Sequence, residues 1–250
     1  SGQGFRTKFL QPHNIPVRKL SEPVRWRGGD QLETLVSNLT FRQPLSHEEP
    51  GDPREPVSPE HRVLLAKDMQ PSTLRQVLEM LTAAHYQSSP DDMLRLTDSP
   101  QNNFHLLTVK GKIIAAAVEE HEGNIAPVAL TENIAEGKRR VKGHLTAQSL
   151  ALMSTDANFA SMKIRRINRI AVSPGWQSKG LGSKLLKQIV FSCQTEGADL
   201  ITSSFGADDQ LLRFWVTNGF TIVKRCNKPD KASGLISALV VNPVSKRAEE

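Results

Sequence analysis

Apolar positions recur along this chain in two alternating periods from about residue 61 onward. His61–Lys67 (HRVLLAK) reads as a strand, and Ser72 caps a helix running to about His85, with Leu74, Val77, Leu78 and Leu81 on its inner face. Another helix is expected from Pro90 to Leu96. The runs Phe104–Val109 and Ile113–Glu120 read as strands joined by Lys110-Gly111-Lys112, a hairpin signal. Helices follow at about 127–136 and 144–153, separated by the basic stretch GKRRVKG. Residues 163–172 form a strand, then come a glycine-rich turn and a helix over about 180–195. Strand 199–205, helix 208–219 and strands 220–226 and 234–241 complete the pattern. Interleaving of this kind predicts an α/β (α+β) fold with a mixed central sheet flanked by helices.

The first sixty residues follow another pattern. Residues 1–28 alternate apolar and basic positions in two strand-like pieces, and Asp30 is placed to cap a short helix bearing Leu32, Leu35, Val36 and Leu39. Residues 43–60 hold five prolines and many charges but little that a core would bury, which marks a linker. The expected division is therefore 1–42, a linker at 43–60, and a main domain at 61–245. The chain opens on Ser1 within a strand-like pattern, as expected of an excised piece of a longer protein.

Composition narrows the classes. With 38% hydrophobic and 23% charged residues the chain is an ordinary globular sequence. No apolar run reaches the roughly eighteen residues of a membrane span, and residues 1–9 lack the apolar core of a signal peptide. Cys193 and Cys226 stand far apart in apolar stretches without a C-x-x-C or His-rich setting. They read as core residues, with neither a disulfide framework nor a metal site, in a reducing cytoplasmic compartment. A net charge of +6 and a pI near 9.4 favour a polyanionic partner or a phosphorylated cofactor, and equally describe a plain basic surface.

The chemistry concentrates in Arg169–Ser183. An apolar strand ends there, and a loop containing Gly180 and Gly182 opens directly into a helix. Glycines let backbone approach a ligand closely, and the free N–H groups of a helix's first turn favour an anion. Gln177, Ser178, Lys179 and Ser183 add donors, so the segment suits a pyrophosphate. Neither G-x-x-x-x-G-K-[ST] nor G-x-G-x-x-G occurs there.

Gln177-x-x-Gly180-x-Gly182 after a strand, with Leu185-Leu186 following and Phe214-Trp215-x-x-Asn218-Gly219-Phe220 downstream, resembles the coenzyme A loop and ending of the GNAT acetyltransferases. Further segments narrow the likeness: Ala84-His85-Tyr86-x-x-x-Pro90, Gly143-His144-Leu145-x-x-Gln148, Ser204-Phe205-Gly206 and Ala232-Ser233-Gly234. Together they resemble the acetyltransferase part of the bacterial tRNA(Met) cytidine acetyltransferases, whose eukaryotic and archaeal relatives acetylate cytidines in RNA. Gly2-Gln3-Gly4-Phe5 and Pro23-Val24-Arg25-Trp26 look like the end of that family's helicase-like ATPase module. Gln3 stands where the family has Arg, and most of that module, including its phosphate loop, is missing, so ATP, a cofactor of the full-length family members, is not expected to bind this piece alone.

The resemblance implies a GNAT acetyltransferase fold, acetyl-CoA as cofactor and tRNA as partner, with the rest of the ATPase module in the parent protein. By that resemblance Ile170, Ala171 and Val172 present backbone groups to the pantetheine arm, and the Val172 N–H polarises the thioester carbonyl. Gln177, Ser178, Lys179, Gly180, Leu181, Gly182 and Ser183 hold the pyrophosphate, and Arg213 contacts acetyl-CoA. His85 is the first candidate for the base, beside Tyr86, the only tyrosine; Glu119 or Glu120 is the alternative carboxylate. Lys138, Arg139, Arg140 and Lys142, with Arg165 and Arg166, form the expected RNA-phosphate patch. Trp26 and Trp176 are candidates to stack on bases, and Trp215 is expected in the core. The leading expectation is N4-acetylcytidine formation at the wobble cytidine of elongator tRNA(Met). A GNAT acting on a protein or small-molecule amine, and a non-catalytic acetyl-CoA- or RNA-binding module, are the alternatives.

Overall fold

The computed structural model describes residues 12–16, 18, 30–32, 58–84, 90–229 and 234–249. Strands β1 (Glu60–Leu64), β2 (Asn102–Val109), β3 (Lys112–Gly123), β4 (Lys163–Val172), β5 (Leu200–Ala207), β6 (Thr221–Arg225) and β7 (Ile236–Pro243) form one sheet ordered β1-β2-β3-β4-β5-β7-β6. Neighbours run antiparallel except β4 and β5, which are parallel. The helices are α1 (Pro71–Ala84), α2 (Pro90–Asp98), α3 (Val128–Ala135), α4 (Leu145–Ser154), α5 (Asn158–Ser161), α6 (Leu181–Thr195), α7 (Asp209–Thr217) and α8 (Lys246–Glu249).

Local chemistry accounts for the elements. The β2–β3 turn holds Lys110 at φ 49° and Gly111 at φ 78°, the two positive values that a two-residue hairpin matching strand twist requires. Asp208 caps α7, its Oδ1 accepting the Leu211 N–H at 2.8 Å. Helix α6 turns Leu181, Leu185, Leu186, Ile189 and Cys193 to one buried face. Alternation along β3 sends Ala115 and Ala117 toward that face, and Ala116 and Val118 toward Val77, Leu78 and Leu81 of α1. Small alanines let a helix approach each face of the sheet. Each fully buried leucine or isoleucine here contributes about 1.5–3 kcal/mol. Trp215 is buried against Phe205, Phe214 and Phe220, as its expected core placement requires.

Two strands depart from expectation. The chain leaves β1 after Leu64 and forms a 3-10 turn at Ala66–Asp68, so the strand stops short of Lys67. Strand β3 runs three residues past Glu120 to Gly123, because the charges of Glu119–Glu122 find partners inside the fold.

The sheet opens between β4 and β5. Their pairing covers only Ile164–Arg166 against Leu200–Thr202. Beyond it β4 stays on β3 and β5 stays on β7. A bulge sets the divergence: Val118 faces Arg169 while Glu119 faces Ile167, leaving Asn168 as the extra residue. The Ser203 hydroxyl donates to the Ile167 carbonyl at 2.9 Å, a last tie before the cleft.

Candidate functional site

The cleft is walled by Asn168–Val172 on one side and Ser203–Ala207 on the other. The Ser173 N–H donates to the Ile114 carbonyl at 2.9 Å. By antiparallel alternation Ala171 then also directs its backbone groups to β3, while those of Ile170 and Val172 face the cleft. Two of the three expected backbone contributors are thus available; Ala171 instead buries its side chain against α1. The Val172 carbonyl accepts the Gln177 side-chain amide at 3.0 Å, which closes the loop on itself. One N–H of the Gln177 side-chain amide thus serves the loop, and the amide keeps a second.

At the cleft's mouth the backbone is shaped for close approach. Ser178 lies at φ 60° and Gly180 at φ 73°, in the left-handed region, and Gly180 precedes α6 without a side-chain cap. The first N–H groups of α6 therefore point into the loop unclaimed by a capping side chain, a ready anion site. Leu181 joins through its backbone only, its side chain being in the core. A Cβ on Gly182 would lie 3.3 Å from Phe214 Cε2 and 3.7 Å from Val172 Cγ2, so glycine lets α6, α7 and β4 meet. The Asn218 amide at the end of α7 donates to Ser183 Oγ at 3.1 Å and to the Phe214 carbonyl at 2.7 Å. Lys179 Nζ stands 5.1 Å from the centre of the Trp176 ring, a cation–π contact on the ring expected to stack on a base. Exposed Arg213 donates from Nε to the Asp209 carbonyl of its own helix.

The end of β3 carries charge to both faces. On the α6 side Glu119 is fully buried, its Oε2 taking a hydrogen bond from His105 Nε2 at 2.8 Å. His121 Nε2 lies 3.3 Å and Arg165 Nε 3.0 Å from Oε1. The Arg165 contact lacks hydrogen-bond alignment, so it acts through charge. Burial alone would raise the Glu119 pKa; the hydrogen bond from His105, the His121 ring beside Oε1 and the charges of His105 and Arg165 outweigh it and hold the group at about 2. His61 Nε2 and His105 Nδ1 share a proton across 3.1 Å, extending the chain to the sheet edge. Glu119 is therefore a structural carboxylate, not a candidate base. Glu119, His121 and Glu196 have metal-ligand spacing, but Arg165, 3.2 Å from Glu196, already supplies the positive charge.

On the other face Glu120 and Glu122 share Arg166. Arg166 NH1 lies 3.4 Å from Glu120 Oε2 and 3.3 Å from Glu122 Oε1, and the bulge residue Asn168 donates to Glu120 Oε2 at 3.0 Å. Arg165 and Arg166, expected on RNA phosphates, are instead largely buried in these ion pairs. His85 and Tyr86 lie outside the described residues, as do Gln3 and Trp26. Helix α1, which ends at Ala84 just before them, packs on the Ala116–Val118 face.

A family model described as GNAT acetyltransferase 2 matches residues 76–200, from within α1 to the start of β5. The chain belongs to that GNAT acetyltransferase family. Among its relatives, the tRNA(Met) cytidine acetyltransferase TmcA of Nitrosococcus halophilus is 34% identical over the whole chain. The TmcA of Pyrococcus abyssi is 31% identical, also over the whole chain. The chain spans 34% and 32% of these two relatives' lengths. In fold, the GNAT domain is similar to a chain of the NatC complex bound to Gag peptide and CoA, with TM-score 0.52 at 11% identity. That match covers 76% of this chain and all of the other.

The basic stretch of the GNAT domain lies between α3 and α4. Lys138 pairs with exposed Glu136. Arg139, Arg140 and Lys142 are exposed and have no carboxylate partner among the described residues. Gln148, whose side-chain amide bonds the backbone of Val141, Gly143 and His144, braces the stretch, and neither this role nor those of Glu122 and Asn168 is visible in the sequence. The one available signal was alternation: along β3 it puts Glu119 and His121 on one face and Glu120 and Glu122 on the other, too many charges for a frayed strand end.

Proposed function

We propose that this chain is the acetyl-transferring part of an RNA acetyltransferase that converts cytidine to N4-acetylcytidine, with the wobble cytidine of elongator tRNA(Met) as acceptor. The carrying observation is the end-to-end likeness to the two TmcA proteins, with no element of this chain left unmatched. Acetyl-CoA fits the cleft: uncapped N–H groups of α6 and the glycine loop suit a pyrophosphate, and the outward groups of Ile170 and Val172 suit a pantetheine amide. When bound, acetyl-CoA supplies an acetyl thioester.

The chain's own groups have separable roles. Gln177, Ser178, Lys179, Gly180, Leu181, Gly182 and Ser183 hold the pyrophosphate, Gln177 also bracing their loop, and Arg213 contacts acetyl-CoA. The Val172 N–H donates to the thioester carbonyl oxygen, where negative charge develops. A cytosine amine is neutral at pH 7 but weakly nucleophilic, so orientation matters more than deprotonation before attack. His85 takes the proton that the amine loses, and Tyr86 stacks on the cytosine or protonates the departing thiolate. Lys138, Arg139, Arg140 and Lys142 contact RNA phosphates. ATP belongs to the rest of the parent protein, and the cytoplasm, where tRNA is modified, is the compartment that fits. No helix among the described residues is long and apolar enough to cross a membrane.

The test is incubation with radiolabelled acetyl-CoA and unmodified elongator tRNA(Met), followed by digestion to nucleosides. Label on cytidine is expected. Label on no nucleoside, in a chain that binds acetyl-CoA normally, sinks the RNA reading.

A further inference from the structure

The backbone from Gly137 to His144 is held more tightly than a surface loop needs. At its start the N–H groups of Lys138 and Arg139 both reach the Asn133 carbonyl, at 2.8 and 3.1 Å, and Gly137 donates to Ile134. At its end Gln148 Oε1 accepts the Val141 N–H at 2.8 Å, and Gln148 Nε2 lies 2.9, 2.8 and 3.1 Å from the carbonyls of Val141, Gly143 and His144. His144 Nδ1 accepts the Gly123 N–H at 2.9 Å, which hangs the loop from the end of β3. None of these bonds uses the cationic heads of Arg139, Arg140 or Lys142.

Beside the loop runs a groove of about 270 Å³. Its floor is apolar, made by Ile134, Val141, Leu145 and Leu152, and Arg139 and Arg140 form its rim. Leu145 is 50% exposed and Leu152 44%, so both present apolar surface to whatever enters. The volume falls just below the roughly 300–1,000 Å³ of a drug-sized pocket, which leaves room for one flat unit. A rigid loop, free cations and an apolar floor together match a nucleotide: phosphates on the rim, base or ribose on the floor.

We infer that this groove seats one unpaired nucleotide of the substrate RNA, flanking the acceptor rather than being it. The inference rests on the RNA reading above. The loop hangs at Gly123, which pairs with Lys163 at the far end of β4 from Val172. From Lys163 to Val172 the strand advances roughly 30 Å at about 3.3 Å per residue, so the groove lies several nucleotides from the reacting carbonyl. Its occupant fixes the register of the strand and thereby which cytidine reaches the cleft.

The experiment measures binding of a fluorescein-labelled, unpaired ten-nucleotide RNA against salt concentration. Arg139→Gln with Arg140→Gln is expected to weaken binding at least tenfold and to lower the salt slope by about 1.4, at about 0.7 per phosphate contact on a single strand. Leu145→Ser with Leu152→Ser, both exposed, is expected to weaken binding three- to tenfold with the salt slope unchanged. Acetyl-CoA affinity, measured alongside, stays at the wild-type value in both and certifies the fold. An unchanged affinity in the leucine variant overturns the seat and leaves only a basic surface. Retention of an acidic peptide rather than RNA by the same residues also overturns it. If both variants behave as expected but cytidine is never acetylated, the groove stands and the reaction reading fails. Undiminished cytidine acetylation by the arginine variant means the opposite: the reaction reading stands and the groove fails.

Discussion

The buried carboxylate of Glu122 accepts the backbone N–H of Thr146 at 2.7 Å and its hydroxyl at 2.6 Å. It also reaches the Ala147 N–H at 3.2 Å, so a strand side chain closes the N-terminus of α4 from 24 residues away. An acidic group there answers the positive end of the helix dipole. The other oxygen faces Arg166, and the Thr146 and Thr202 hydroxyls meet at 2.8 Å. Helix α4, and with it the basic loop, is thereby fastened to β3, β4 and β5 where the cleft begins.

Breaking that junction should be costly. Glu122→Gln leaves Arg166 with Glu120 alone, and Arg166→Met leaves the buried Glu122 carboxylate without a cation; removing one partner of a buried ion pair costs about 3–5 kcal/mol. Urea denaturation should show a loss of that order for Glu122→Gln and for Arg166→Met singly. The double variant should recover much of it, because the unpaired charge is gone. Additive losses would mean that the two side chains act independently.

Such pairs explain what was legible in the chain and what was not. The glycine loop announced itself because strand, turn and helix signals adjoin within Arg169–Ser183 and depend on backbone conformation. Trp215 and the Lys110-Gly111 turn were legible for the same local reason. Glu119 and Glu120 read as candidate carboxylates for the base because their partners, His105, Arg165 and Arg166, arrive from distant segments. Arg165 and Arg166 read as part of a phosphate patch on the same grounds: a cation's partner is a tertiary fact. The Asn168 bulge, which opens the cleft, shifts register without any glycine to mark it.

Gly182 tests the cofactor site. Valine there would drive its branches into Phe214 and Val172, whose atoms stand 3.3 and 3.7 Å from the site of a Cβ. Calorimetric titration should show acetyl-CoA binding at least tenfold weaker. Gly180→Val meets no neighbour within 4 Å but must hold φ 73°, which costs about 1–2 kcal/mol. It should therefore lower the melting temperature through backbone strain alone, whatever it does to the ligand.

The cysteines should differ in reactivity. Burial, with the charge of Glu119 next, pushes the Cys193 thiol well above its ordinary pKa. Cys226 is half-buried and accepts the Ser237 hydroxyl at 2.9 Å. Iodoacetamide on the native protein should label Cys226 first, with Cys193 protected until unfolding. Equal labelling rates, read by peptide mass, would place Cys193 outside the core.

Acid should destabilise the fold in two stages. Burial, and then the charge of His105, lowers the His61 pKa to about 4 from 6.5. Between those values the unfolded chain takes up a proton that the fold refuses, so stability falls as pH drops from 6.5 toward 4. Glu119, held at about 2 against 4.5, adds a second loss as pH falls through that lower window. His61→Phe keeps a ring to stack on His105, whose centroid lies 5.3 Å away, yet cannot titrate. Denaturation midpoints for this variant should be flat from pH 6.5 to about 4.5 and then fall like wild type. Glu119→Gln should be weaker already at about pH 7, since its neutral amide leaves Arg165 short of a buried anion, and should lose the lower stage. A wild-type profile flat down to pH 4 would mean that His61 accepts its proton in the folded state, and that its place beside His105 is looser than their 3.1 Å contact requires.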